Sequence, residues 1–94
     1  MIAWIQIGVP ARAYFVRKRW DGGGAHLVHL TEIVRLDAFA EAVWDQLDGR
    51  SDLDAIGDRI ATIFPAIEAE LRDALIAHHI AAFAQRGLLD TGGR

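Results

Sequence analysis

Ninety-four residues with 52% apolar side chains, three tryptophans and a formal net charge of −3 describe a folding chain with one modest core. That length excludes a substrate cleft between two lobes, and no apolar run approaches the roughly 18 to 20 residues that span a bilayer. The absence of cysteine excludes disulfides, thiolate zinc sites and a cysteine nucleophile.

Residues 1–9 are apolar and strand-like in composition, with Ile2, Trp4, Ile5 and Ile7, but lack the basic leading region and small-residue cleavage site of a secretory signal. A single domain over residues 1–94 with its core at about 13–89, and a cytoplasmic location, are therefore expected. Charge is unevenly spread. Residues 1–35 carry Arg12, Arg17, Lys18, Arg19 and Arg35 against Asp21 and Glu32, a balance of +3 that leaves −6 for the remainder. An anionic partner belongs on the N-terminal part.

Residues 13–20 read as a strand that ends at the turn Asp21-Gly22-Gly23-Gly24. Residues 25–30 and 33–36 form two more, joined by a tight turn at Thr31-Glu32, so that a small antiparallel meander is expected. Its first strand carries three consecutive cations that discourage pairing, whereas Ile33-Val34-Arg35-Leu36 carries one charge and is the open edge. A proline at Val34 is expected to remove one of that edge's donors.

Residues 37–49 then predict a helix with Asp37 as N-cap, an apolar stripe of Phe39, Val43, Trp44 and Leu47, and closure at Gly49. Ser51, with Asp54 three residues on, predicts the N-cap of a second helix, along which Leu53, Ile56, Ile60, Ile63 and Phe64 recur. Pro65 breaks it sharply. A third helix is expected from about 66 to 86, with a stripe of Ile67, Leu71, Leu75 and His79 beside Ile76, Ile80 and Phe83, closed by Gly87. Between Ala74 and Ala84 it carries no formal charge, which fits a central place in a three-helix core and, more sharply, a face that lines a groove. Trp44, and less directly Trp20 and Trp4, read as core.

Three strands followed by three helices, with a strand ending in Leu36-Asp37, then Trp44, Leu47-Asp48-Gly49, the helix start Ser51, Leu53 and Ile56, and a terminal Arg86-Gly87-Leu88-Leu89, resemble the PqqD-like family. These are RiPP recognition elements, which bind leader peptides of ribosomally made, post-translationally modified peptides. Asp37 stands where the family usually has Asn, and Leu75-Ile76 where it often has Asp-Val. The resemblance covers about residues 13–89 and implies an α+β, winged helix-turn-helix-like fold. It implies that a leader adds as a strand to Ile33, Val34, Arg35 and Leu36 and lies against a helical wall of Arg72, Leu75, Ile76, His79 and Phe83. Arg35 would then meet an acidic leader residue. The implied partners are the precursor peptide and a separate modifying enzyme, either a leader peptidase, as in lasso-peptide systems, or a radical enzyme. Neither a cofactor nor a catalytic residue is implied.

Other functions fit the residues less well. A winged-helix nucleic-acid-binding protein is the alternative, but its second and third helices would offer only Arg59, Arg72 and Arg86 to phosphates among many acids. His26 and His29 would fall on opposite faces of a strand, and His78 and His79 diverge by about 100° around a helix, so neither pair makes a natural metal chelate. Asp45, Asp48, Asp52, Asp54 and Asp58 fall at helix ends and outward positions rather than as paired catalytic acids. Neither nucleic acid nor a membrane is an expected partner, whereas the unpaired edge also invites self-association as a homodimer.

Overall fold

The structure, a computed structural model, describes residues 9–90. The strand-like residues 1–8, Trp4 among them, lie outside the described residues. The order of elements is β1 (Ala11–Arg12), β2 (Arg17–Asp21), β3 (Gly24–His29), β4 (Glu32–Arg35), α1 (Ala38–Asp45), α2 (Leu53–Ile63), α3 (Ala69–Gln85) and β5 (Leu89–Asp90). Strands β2, β3 and β4 form an antiparallel sheet in that spatial order, and with the three helices they make the expected α+β fold.

Alternation fixes the two faces of the sheet. The register pairs Lys18 with Leu27 and Val34, and Trp20 with Ala25. These residues share the inner face, because directly opposed residues of adjacent strands point the same way. Leu27 and Ala25 are buried there. Lys18 reaches down to Glu41 at 2.8 Å and Asp45 at 2.9 Å on α1, and the Trp20 Nε1–H donates to Glu41 at 3.1 Å. Trp20 is thus not core: two-thirds of it is exposed and only its polar edge is anchored. Burial works against the Lys18 charge, but the hydrogen bonds to Glu41 and Asp45 outweigh it and raise the ammonium pKa. The Lys18 hydrogen bond holds the Glu41 carboxyl below its ordinary value.

Helix α1 begins as expected, with the Asp37 carboxylate accepting from the Ala40 N–H at 2.8 Å. It ends earlier than Gly49, at Asp45, with Gln46 as the C-cap. Leu47 is still fully buried, now from a loop. In that loop Asp48 accepts from the N–H groups of Arg50 and Ser51, both at 2.9 Å, which holds its carboxyl below the ordinary range. Gly49 adopts the left-handed conformation, φ 76°, and a Cβ there would stand 3.1 Å from that of Ala11.

Leu47-Asp48-Gly49 therefore serves as a clasp for β1 rather than as the end of a helix. Arg12 N–H donates to Leu47 O and Gly49 N–H to Pro10 O, while the other side of β1 pairs with β5. That second ladder, only two residues long on each strand, is absent from the sequence expectation. It explains why Leu88 and Leu89 are buried.

The second helix is capped by Asp52, which accepts from the Ala55 N–H at 2.9 Å, and not by Ser51. The Ser51 hydroxyl is occupied by Arg59 at 2.6 Å, and its N–H by Asp48. Helix α3 begins at Ala69, three residues later than expected, after a turn that follows Pro65. Its buried line is Ile76, Ile80 and Phe83, with Leu71 half exposed, while Ala74, Ala77 and His78 face outward. Ile63 on α2 is likewise half exposed. The expected first strand is shorter, because Ala13 to Val16 form a turn closed by Val16 N–H to Ala13 O.

Candidate functional site

Strand β4 is one of the two outer strands of its sheet. Its turn is Leu30-Thr31, one residue before the expected one, and Leu30 pays for the tightness with a left-handed φ of 57°. The strand then runs Glu32, Ile33, Val34, Arg35 opposite His29, Val28, Leu27, His26. Leu36 N–H donates to Ala25 O at 3.1 Å.

That bond sets the parity of the whole strand. In an antiparallel ladder hydrogen-bonded pairs alternate with non-bonded ones, so Leu36, Val34 and Glu32 turn their backbone groups toward β3. Ile33 and Arg35 turn theirs outward. The Val34 N–H therefore belongs to the ladder with Leu27, and a proline at Val34 would break the sheet instead of testing its edge. The outward donors and acceptors are those of Ile33 and Arg35.

Side chains divide in the complementary way. Val34 is half-buried against the core, and Leu36 is buried. Ile33, 61% exposed, and Arg35 stand on the outer face. Arg35 lies 3.4 Å from Asp21, whose carboxyl is held below its ordinary value first by the Gly23 N–H at 2.7 Å.

The helical wall is more selective than the sequence suggested. Helix α3 packs on α1 and α2 and not closely on β4, and Arg86 bridges the gap to Glu32 at 3.2 Å. Helical spacing puts Leu75, His79, Ala82 and Arg86 in one row along α3. His79 and Leu75 are half-buried on it. The His79 ring sits between Phe39, at 5.7 Å, and Phe83, at 6.3 Å. Its desolvation lowers the imidazole pKa; Asp37 acts in the opposite sense and His78 in the same one.

Ile76 and Phe83 are buried residues of the core, Phe83 meeting Trp44 edge-on at 5.2 Å. Arg72 lies elsewhere. With Leu53, Gly57, Asp58, Asp73 and Ile76 it lines an open cleft of about 580 Å³ between α2 and α3. Phe39 and the Glu32–Arg86 pair were missed from sequence. The signal for the pair was available in part, since Arg86 opens the Arg-Gly-Leu-Leu segment, but its partner 54 residues away was not.

Among the described residues no group of three or more His, Asp or Glu is placed to hold a metal ion, and no helix is long and apolar enough to cross a membrane. The arrangement offers the outward backbone groups of Ile33 and Arg35 together with the half-buried side chains of Val34, Leu75 and His79.

The family model described as coenzyme PQQ synthesis protein D (PqqD) matches residues 24–89, which takes in β3, β4, all three helices and Leu89. The chain belongs to the PqqD family. The chain is also similar to the solution NMR structure of the PqqD truncation of Methylobacterium extorquens PqqCD, described as a functional and stand-alone RiPP recognition element. The two superpose with a TM-score of 0.72 at 27% sequence identity, over 87% of this chain and 88% of that one. No match was found among curated proteins.

Proposed function

We propose that this protein is a non-catalytic recognition element that binds the leader of a ribosomally made precursor peptide and presents it to a separate modifying enzyme or leader peptidase. The observation that carries the reading is the outer edge of β4, where the backbone groups of Ile33 and Arg35 face away from β3. An extended peptide can add there as a fourth strand, with main-chain hydrogen bonds for affinity and alternate side chains for specificity. Side chains that turn inward meet Val34, Phe39, Leu75 and His79. Membership of the PqqD family and the likeness to the M. extorquens recognition element support the choice of ligand. Of the residues expected from sequence, Phe83 backs His79, Leu36 anchors the strand, and Arg72 and Ile76 stand apart at the cleft between α2 and α3.

The test titrates the leaders of short precursor peptides encoded near the gene into isotope-labelled protein. Saturable binding with amide shifts at Ile33 and Arg35 is expected. Ile33→Pro removes one outward donor and no ladder bond, so it should weaken binding at least tenfold while the unfolding midpoint holds. No saturable binding would overturn the reading, and unchanged binding by a folded Ile33→Pro would overturn strand addition.

A further inference from the structure

The register that frees the backbone of β4 also composes the outer face of the sheet. Two rows cross its three strands. One is Arg17, Val28, Ile33; the next is Arg19, His26, Arg35. Residues within a row stand directly opposite each other, about 4.5 to 5.5 Å apart at Cβ, close enough for charge to matter. Arg17 is anchored on the Tyr14 carbonyl at 3.0 Å, and Arg19 has no ion pair among the described residues. Against these three arginines the face offers one carboxylate, Asp21. It serves Gly23 at 2.7 Å, Arg35 at 3.4 Å and lies 3.7 Å from His26 Nδ1, a nitrogen that has no hydrogen-bond partner among the described residues. Three of the five cations of the first 35 residues thus stand on this face, and the rest of the chain is acidic.

A strand added to β4 extends both rows by one residue. We propose that the outer face selects its ligand by this pattern: an acidic side chain beside Arg35, two residues from an apolar side chain beside Ile33, with Asp21 standing in for the acid when no ligand is bound. The inference rests on strand addition at β4 and names the class of segment that the strand must be. A carboxylate opposite Arg35 meets Arg35 first, with Arg19 in the same row behind it, whereas a lysine or arginine there meets like charge. Opposite Ile33 an apolar side chain extends the patch of Ile33 and Val28. The intervening residue points to the opposite face, into the groove. Because Asp21 already engages Arg35, the incoming acid competes with an internal one, and affinity for acidic ligands is held below what Arg35 alone would give.

Three synthetic eleven-residue peptides of one alternating design, leucine at every groove-facing position, separate these statements. They differ only in one central outward residue, glutamate, glutamine or lysine, which lies two positions from an outward valine. Each is titrated into isotope-labelled wild type, Asp21→Asn and Arg35→Glu. The Asp21→Asn side chain keeps an acceptor for the Gly23 N–H, so the turn persists, and the free spectra confirm folding. Wild type should bind glutamate over glutamine over lysine, in steps of about two- to fivefold that shrink with salt. Asp21→Asn should tighten the glutamate peptide alone, and Arg35→Glu should reverse the order. Equal affinities in wild type, or an Asp21→Asn gain shared by all three peptides, overturn the charge pattern while leaving strand addition intact. If no peptide shifts the Ile33 and Arg35 amides, strand addition fails and the pattern with it.

Discussion

The two outer strands of the sheet are finished in opposite ways. β2 presents Arg17, Lys18 and Arg19 in succession and is tied to α1 through Lys18 and Trp20. β4 has one cation, an exposed Ile33, and a single bridge, Glu32 to Arg86, across to α3. Consecutive charges and anchored side chains protect an edge from stray pairing, whereas a short strand with free backbone and an apolar tip accepts a partner. Helix α1 secures β2 through Glu41 and Asp45, and its Trp44 meets Phe83 of α3.

The contrast can be broken most severely from below. Trp44 is 3% exposed and meets Phe83, which in turn stacks on His79. Trp44→Ala leaves a cavity between α1 and α3 and should cost about 3 to 5 kcal/mol in urea unfolding. It should weaken peptide binding as well, since the groove wall loses its backing. Unchanged stability with lost binding would make Trp44 part of the docking surface itself.

A smaller change would make the two edges alike. Lys18→Ala removes the cation that joins β2 to Glu41 and Asp45. The pair is part-exposed and screened by salt, so the loss should be about 0.2 to 1 kcal/mol. Its pH dependence has a definite sign. The raised Lys18 pKa contributes stability below the ordinary 10.5 that is lost as pH rises through the folded value. The depressed Glu41 pKa contributes stability above the ordinary 4.5 that is lost as pH falls through the folded value. Urea midpoints across pH should therefore flatten at both ends in Lys18→Ala. Size-exclusion at high concentration should show more self-association, because the guarded edge has lost a guard.

How much of this was legible depends on the range over which each signal acts. Asp37 as a cap, Gly87 as a stop, the buried Trp44 and the open β4 are local, and residues within a few positions determine them. The cap of α2 was not, because Ser51 and Asp52 are both good capping residues. The choice falls to Arg59 and Asp48, which occupy the Ser51 hydroxyl and N–H. Trp20 looked apolar in composition, yet its register opposite Ala25 brings only its N–H within reach of Glu41. The β1–β5 ladder is two residues long and joins opposite ends of the described chain, so no periodicity announces it. The outer strand β4 was readable from its short run and position in the meander, but the side of each backbone group follows from one hydrogen bond, Leu36 to Ala25, that only the fold supplies. The residues expected as a helical wall went to three places: the core for Phe83, half-buried positions beside Arg86 for Leu75 and His79, and the far cleft for Arg72 and the buried Ile76.

His79 is where the supporting core and the open edge meet, and it gives the finest test of their separation. Burial between Phe39 and Phe83 disfavours the imidazolium and lowers its pKa below 6.5, with Asp37 opposing and His78 reinforcing the shift. As pH falls below that ordinary value the unfolded chain takes up a proton that the folded ring resists. Stability is therefore complete above 6.5, declines on acidification, and levels off once the folded ring is protonated. His79→Gln removes this contribution and should lose less stability than wild type between about pH 7 and pH 5, a difference that also subtracts the other histidines. A peptide seated in the groove would dry the ring further, so leader affinity in wild type should weaken at still lower pH, as pH falls through the pKa of the free folded ring, and in His79→Gln it should not. An affinity loss that sets in where the stability loss levels off would mean that the groove is continuous with the core. A pH effect on stability alone would place His79 beneath the ligand rather than against it, and the helical wall would then begin at Leu75.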